Sequence, residues 1–221
     1  DSYIVALDSQ TGRTVWKTPR EKQTRSYCTP LIREIEGKPQ MVLSGSHHIV
    51  SFDPRDGSRN WFVEGPTEQF VASMVHDGER FFAAAGFPTY HVLAVDPTGR
   101  GDVTDSHIAW HVTTAKCYVP SPVLVGDCLL VADDRGTANC FDTSTGERHW
   151  QARMGRHYSA SLIATTERAY FTADDGVTKI VRAGPELDVI QENRLGEFTY
   201  ASPGVSQGQI YIRGVDHLYA I

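Results

Sequence analysis

Four aspartates are the first candidates for chemistry in this sequence, because a carboxylate can serve as a general acid or base. Each one follows a short apolar run. A turn comes next, usually with a glycine, and the pattern then ends on a tryptophan. The four aspartates are Asp8, Asp53, Asp96 and Asp142. A carboxylate that recurs in the same local pattern indicates a recurring structural need. We therefore interpret these aspartates as turn-forming residues and not as acid–base catalysts.

The pattern around these aspartates always ends on a tryptophan. It runs from Ala6 to Trp16, from Ser51 to Trp61 and from Cys140 to Trp150, and a fourth copy reaches Trp110 only after six extra residues. A repeat of about 40 to 50 residues is typical of solenoids and propellers. The residues predicted to form this structural motif are Asp8, Gly12, Trp16, Asp53, Gly57, Trp61, Asp96, Trp110, Asp142, Gly146 and Trp150.

A second series runs in phase with the first and consists of an aromatic residue, then Ser or Thr, then an apolar run. Its five copies begin at Tyr27, Phe70, Tyr118, Tyr158 and Tyr200. Turns and further β-prone runs follow, so each period holds four short strands, which we letter A to D in chain order. The Ser–Pro run is predicted to be strand A. Since no stretch shows the periodicity of a substantial helix, the predicted class is all-β.

Four short strands per period predict a β-propeller of four-stranded antiparallel blades that pack on one another. The predicted blades are residues 27–61, 70–110, 118–150 and 158–195, with partial blades at 2–17 and 200–221. Residues 179–195 lack both the Asp and the Trp, so their C–D hairpin is predicted to be degenerate. With about five periods present, we expect part of a larger propeller of seven or eight blades, in preference to an unusually small closed one.

The motif from Val5 to Trp16 resembles the tryptophan-docking motif of the pyrroloquinoline-quinone-like β-propeller repeats. That family contains quinoprotein dehydrogenases and also non-catalytic relatives, such as the outer-membrane assembly lipoprotein of Gram-negative bacteria. The resemblance implies that each indole packs on the neighbouring blade. It also implies an exported protein, hence a periplasmic or extracellular location.

Composition narrows the function classes further. The formal net charge of −6 argues against a protein that binds the phosphate backbone of a nucleic acid. No apolar run approaches membrane-spanning length. The cysteines form no Cys-x-x-Cys pair, so zinc and thioredoxin-like chemistry lack their spacing. We interpret Cys128 and Cys140, on strands joined by a hairpin, as small buried residues in preference to a disulfide.

Binding is expected where loops converge. In a propeller blade the D–A and B–C connections lie on one side of the disc, which we call the loop face, and the A–B and C–D turns lie on the other. The predicted ligand-binding residues of the loop face are Arg25, Tyr27, His47, Lys116, Tyr118, Arg156, His157, Tyr158 and Tyr200. Aromatic and charged residues of this kind suit a peptide or a polar ligand. The recurring tyrosines also have a competing interpretation, as packing at the top of strand A. No metal site is predicted.

Two function classes remain open. The favoured one is a non-catalytic binding or scaffolding propeller without a cofactor, which contacts a protein or a small polar ligand, other domains of a longer chain, or another copy through open blade edges. The alternative is an alcohol or sugar dehydrogenase that holds pyrroloquinoline quinone beside calcium. Against the alternative, the sequence has no adjacent cysteine pair, and the docking motif uses all four tryptophans.

Overall fold

The computed structural model describes residues 2–22, 26–65 and 67–221. In this part of the chain 22 strands form six sheets, and no helix is present. Accordingly, no helix among the described residues is long and apolar enough to cross a membrane. The all-β class predicted from the sequence is confirmed.

The first three sheets, blades 1 to 3, follow one another along the chain. Blade 1 is a hairpin of β1 (Tyr3–Leu7) and β2 (Thr14–Pro19). Blade 2 contains β3 (Leu31–Ile35), β4 (Lys38–Gly45), β5 (His48–Phe52) and β6 (Arg59–Glu64). Blade 3 contains β7 (Val75–His76), β8 (Phe81–Ala85), β9 (His91–Val95) and, after the short β10 (Gly101–Asp102), β11 (Ile108–Val112).

The remaining sheets, blades 4 to 6, repeat the same antiparallel order. Blade 4 contains β12 (Val123–Val125), β13 (Cys128–Ala132), β14 (Thr137–Asp142) and β15 (Arg148–Arg153). Blade 5 contains β16 (Ile163–Ala164), β17 (Arg168–Thr172), β18 (Val177–Arg182) and β19 (Asp188–Arg194). Blade 6 contains β20 (Gly204–Ser206), β21 (Gln209–Arg213) and β22 (Leu218–Ala220).

The Ser–Pro runs are not strands, and this part of the prediction is wrong. Strand A begins only after them, at Leu31 in blade 2, Val123 in blade 4 and Gly204 in blade 6. The physical reason is that a proline precedes each of these residues, and proline has no N–H to donate to a sheet.

The hydroxyls before strand A join neighbouring blades instead. The backbone N–H of Thr29 donates to Ser73 Oγ (3.1 Å), and that of Ser73 donates to Ser121 Oγ (3.0 Å). The series continues from Ser121 to Ser161 (3.1 Å) and from Ser161 to Ser202 (2.9 Å). This serine chain runs through five blades and fixes which residues occupy equivalent positions in each.

The indoles lie between blades, as the resemblance implied. Trp16 Nε1 donates to Pro54 O (3.0 Å) in the C–D turn of the next blade, and Trp110 Nε1 donates to Thr143 O (2.8 Å) in the same way. The glycine of that turn lies directly under the ring, because a Cβ added at Gly146 would come within 2.6 Å of the Trp110 ring. A large apolar ring with one N–H is suited to this position.

Trp61 is linked to the next blade through the side chain of Gln40. It is fully buried, and its Nε1 donates to Gln40 Oε1 (2.8 Å), while Gln40 Nε2 donates to Pro97 O (3.0 Å). The C–D turn of blade 3 carries the six extra residues, and β10 within them pairs in parallel with β6 of blade 2. The insertion therefore widens the neighbouring blade by one short strand.

The aspartates form the C–D turns. Asp142 Oδ1 accepts hydrogen bonds from Ser144 N (2.9 Å) and Thr145 N (2.8 Å), and the Gly146 N–H donates to Asp142 O (2.9 Å). The Ser144 hydroxyl also donates to Oδ1 (2.6 Å), and this bond, together with the backbone N–H groups of Thr145 and Ser144, holds the pKa of Asp142 down to about 2. Asp53 forms the equivalent turn, and the Arg55 side chain and N–H lower its pKa to about 2 as well.

The hairpin predicted to be degenerate keeps its backbone geometry. In β18 and β19 Gln191 lies opposite Ile180, as Trp150 lies opposite Cys140, and a β-bulge follows at the same place. Arg182 and Asp188, at the two ends of the turn, form an ion pair of 2.8 Å. Only the side chains of the motif are lost in this blade.

Candidate functional site: the loop face

The D–A connections and the B–C turns contact each other directly. The N–H of Tyr158 donates to Asp134 O (3.1 Å), that of Asp174 donates to His157 O (3.0 Å), and that of Val215 donates to Phe198 O (2.9 Å). Each pair joins a D–A connection to a B–C turn. The two sets of loops therefore share one side of the molecule, and that side is the loop face.

The five aromatic residues before strand A occupy two different positions. The serine chain places Phe70, Tyr118 and Tyr158 at one position, three residues before the bonded serine. Tyr200 lies two residues before Ser202 and Tyr27 two residues before Thr29, which is one residue closer, and Tyr27 and Tyr200 are 58% and 57% exposed. Only these two tyrosines have most of the ring in solvent.

Tyr158 does not belong to the surface, so its assignment as a ligand contact is wrong. It is fully buried in the core between blades 4 and 5, and its ring lies edge-on to Phe171 at 6.4 Å. Burial raises the pKa of its hydroxyl. Tyr118 is half-buried, and its hydroxyl donates to Gln69 Oε1 (2.7 Å). For Tyr158, packing at the top of the blade is the better interpretation.

The charged candidates line the rim of the loop face. Lys116, Arg156 and His157 are exposed, and His157 Nδ1 lies 2.7 Å from Asp174 Oδ2. Asp174 is fixed in turn by the Ser159 N–H (2.7 Å). These contacts orient the His157 ring while leaving it accessible to a partner.

The remaining candidates differ in how they are held. His47 is exposed in a left-handed turn (φ 59°), and its N–H donates to Thr67 O (2.8 Å). Arg25 lies outside the described residues. A second histidine–carboxylate pair, His217 Nδ1 with Glu197 Oε1 at 3.1 Å, occupies the equivalent place one blade further on.

Three exposed apolar residues of the loop face were not among the candidates. Phe87 is 47% exposed, Phe198 is 57% and Val215 is 58%. Val215 and Tyr200 also line a shallow cavity of about 300 Å³. Their signal in the sequence is a large apolar residue inside a turn, where polar residues are usual.

The described residues do not fit a quinone cofactor with calcium. All four indole rings pack in the hydrophobic clusters of the blades, so no tryptophan is available as a stacking platform. In the part of the chain that the structure describes, no cluster of three or more His, Cys, Asp or Glu could hold a metal ion.

The cysteines are thiols, and three of the four are buried. Cys117 Sγ donates to Ala85 O at 3.2 Å, and burial raises the pKa of this thiol to about 12. Such a thiol is protonated at neutral pH and is a poor nucleophile.

Sheets joined by indoles and by a chain of serine hydroxyls define a β-propeller of the pyrroloquinoline-quinone-like repeat class. The model of the family described as "Outer membrane protein assembly factor BamB" matches residues 1–96 and 90–184. This match extends over most of the chain, and the chain belongs to that family.

Two relatives show how much of the family's length is present. The outer membrane protein assembly factor BamB of Burkholderia pseudomallei (strain K96243) is 26% identical over 116 residues, which is 52% of this chain and 30% of the relative. The crystal structure of BamB from Moraxella catarrhalis superposes with a TM-score of 0.74 at 17% identity, over 99% of this chain and 63% of that one. The structural likeness shows the fold, and the chain spans less than two thirds of either relative.

Proposed function

We propose that this chain is a non-catalytic scaffold that binds another protein through its loop face during the assembly of outer-membrane proteins. The family match supports a role in outer-membrane protein assembly, because the family and its relative are described as assembly factors. The observation that carries the binding role is the set of exposed apolar residues on the loop face, which consists of Tyr27, Phe87, Phe198, Tyr200 and Val215.

A protein partner suits this surface better than a small polar ligand. Exposed aromatic residues among charged ones are typical of protein interfaces, where a few buried rings supply most of the binding energy. The cavity beside Tyr200 is shallow and, at about 300 Å³, lies at the lower limit for small-molecule sites. The charged rim of Lys116, Arg156 and His157 would set orientation and association rate.

The same family match supports a proposal for the location. An outer-membrane assembly factor works in the periplasm, so we propose a periplasmic location, and nothing in the family match favours an extracellular one. The family match is to an assembly factor and the described residues do not fit a quinone, so the dehydrogenase alternative is not favoured.

Site-specific photocrosslinking in cells tests the proposal. A benzophenone amino acid at Tyr200 should yield an adduct with a protein of the outer-membrane assembly machinery, identified by mass spectrometry. The matched control is the same amino acid at Glu147, which is exposed on the opposite side in a C–D turn. Equal adducts from both positions, adducts only with a second copy of this chain, or none from Tyr200 would contradict the proposal.

A further inference from the structure

Two histidine rings of blade 3 face each other at the outer part of the sheet. His91 is the first residue of β9 and is only 8% exposed, whereas His111 is exposed in β11, the outermost strand of the blade. His91 Nδ1 lies 2.8 Å from His111 Nε2. Both rings belong to a blade that has a neighbour of at least four strands on each side.

A row of hydrogen bonds behind His91 fixes which of its ring nitrogens carries the proton. Phe87 O can only accept, so the Thr67 hydroxyl donates to it (2.6 Å). The Thr89 hydroxyl donates to Thr67 Oγ1 in a longer contact of 3.4 Å, and Thr89 Oγ1 therefore accepts from His91 Nε2–H (2.7 Å). Since a neutral imidazole has one N–H, His91 Nδ1 presents a bare lone pair to His111.

Both rings are neutral at pH 7, because burial lowers the pKa of His91 and of His111 below the ordinary value, and the His111 ring lowers that of His91 further. Metal ions bind neutral imidazole. The proton of His111 needs only to move from Nε2 to Nδ1 for the pair to present two bare nitrogens. No carboxylate forms a hydrogen bond or an ion pair with either ring among the described residues, so Ca²⁺ and Mg²⁺, which require oxygen ligands, are not suited.

The separation of the two nitrogens matches two adjacent ligands of one transition-metal ion. At metal–nitrogen distances of about 2.0 Å, two ligands at a right angle lie roughly 2.8 Å apart. Thr89 holds the ring of His91, whereas the exposed ring of His111 can turn until its lone pair meets the same ion. Imidazole suits copper, nickel and zinc, and of these divalent ions Cu²⁺ binds a given nitrogen site most tightly.

We propose that His91 Nδ1 and His111 Nε2 bind one divalent transition-metal ion, Cu²⁺ in preference to Ni²⁺ or Zn²⁺. Two histidines are a smaller donor set than the clusters of three or more residues excluded above, so water completes the coordination. Thr89 is a positioning residue, because it holds the second nitrogen of His91 as outer-shell partners of metal-bound histidines do. This metal site is independent of the proposed protein-binding function.

Titration with Cu²⁺, followed by electron paramagnetic resonance, tests the site. The Cys28→Ser chain is used, because Cys28 is the one thiol that is not buried. We expect one bound ion whose spectrum shows coupling to two imidazole nitrogens. His111→Ala in this chain should remove one coupling and weaken binding roughly tenfold or more, since loss of an outer-shell partner alone costs that much.

The positioning role of Thr89 has its own variants. Thr89→Val should weaken Cu²⁺ binding while both nitrogen couplings and the midpoint of thermal unfolding stay as they are, because the valine cannot accept from His91 Nε2–H. Thr89→Ser, which keeps the hydroxyl, should restore the affinity. Equal affinity of the Thr89→Val chain and the Cys28→Ser chain would overturn this role.

His107→Ala is the matched control, because His107 belongs to the same blade and its Nδ1 is bonded to Ser106 Oγ (2.7 Å) and not to a second imidazole. It should bind Cu²⁺ as the Cys28→Ser chain does. Equal binding by His111→Ala would overturn the inference, as would an equal loss in His107→Ala. A spectrum with fewer than two imidazole nitrogens in the chain that keeps both histidines would also overturn it, and this measurement does not require any histidine variant to fold.

Discussion

Asp142 shows at the level of a single residue why the repeated carboxylates are structural. Its Oδ1 accepts hydrogen bonds from the backbone N–H groups and the hydroxyls of Ser144 and Thr145, so the carboxylate is held within its own turn. Asp8 repeats the arrangement, with Gln10 and Thr11 as donors. Hydrogen-bond donors of this kind favour the charged form of the carboxylate, and the same bonds stabilise the folded turn.

This bonding makes part of the stability depend on pH. The folded pKa of Asp142, about 2, lies below the value of about 3.9 for an unfolded aspartate. The stabilisation is therefore complete above the unfolded pKa and is lost as the pH falls towards 2. We expect Asp142→Asn to lower the free energy of unfolding at pH 7, and the difference from the unchanged chain to shrink steadily between about pH 4 and pH 2.

Urea unfolding at a series of pH values measures this difference. Asp105→Asn is the matched control, because Asp105 is exposed and no hydrogen bond to its side chain is found among the described residues. A difference for Asp142→Asn that stays constant down to pH 2 would show that the carboxylate charge does not hold the turn.

The sequence predicts the role of these residues well and the exposure of others poorly. The aspartates and tryptophans recur in one local pattern, which predicts the turns, and the resemblance to the repeat family implies the position of the indoles between blades. Tyr158 and Tyr200 stand in similar local sequences, yet one is fully buried and the other is 57% exposed. Their difference is an offset of one residue from the bonded serine, which becomes visible only when neighbouring blades are in place.

The C–D hairpin is the element that joins one blade to the next. Its turn glycine has a positive φ, of 70° at Gly12 and 72° at Gly146. Of these two glycines, Gly146 lies under an indole and Gly12 does not, since a Cβ at Gly146 would meet Trp110 whereas a Cβ at Gly12 would meet nothing within 4 Å. A comparison of substitutions at the two glycines therefore separates the cost of backbone strain from the cost of lost contact between blades.

Alanine at these two glycines should therefore have unequal effects. We expect Gly12→Ala to cost about 1 to 2 kcal/mol, the penalty of a left-handed backbone. Gly146→Ala should cost about 1 to 3 kcal/mol more, because the methyl group pushes the Trp110 ring out of contact. Equal losses in urea unfolding would show that the indole does not pack closely on the turn.

The C–D hairpin of blade 5 shows which features of a secondary-structure element the sequence predicts and which it does not. The absence of Asp and Trp correctly identified it as unusual, but the pairing of Gln191 with Ile180 and the β-bulge are the same as in the other blades. The strands pair here without the motif, and an exposed ion pair between Arg182 and Asp188 lies at the two ends of the turn.

At the scale of the whole molecule, structural and binding roles lie in different places. The indoles and the serine chain hold neighbouring blades together, whereas the exposed aromatic residues Tyr27, Phe87, Phe198 and Tyr200 lie on the loop face. The blade order, class and repeat length are readable from the sequence because every blade repeats them. The composition of the loop face is not, since its residues differ from blade to blade.

The separation of these roles is tested most directly by the free energy of unfolding of Trp61→Ala beside that of Tyr200→Ala. Trp61 is fully buried and Tyr200 is mostly exposed. Trp61→Ala should lose about 3 to 5 kcal/mol, as truncations of buried aromatic residues do, and Tyr200→Ala should stay within about 0.5 kcal/mol of the unchanged chain. A Trp61→Ala variant of normal stability that had lost only partner binding would contradict the assignment of the tryptophans to packing between blades.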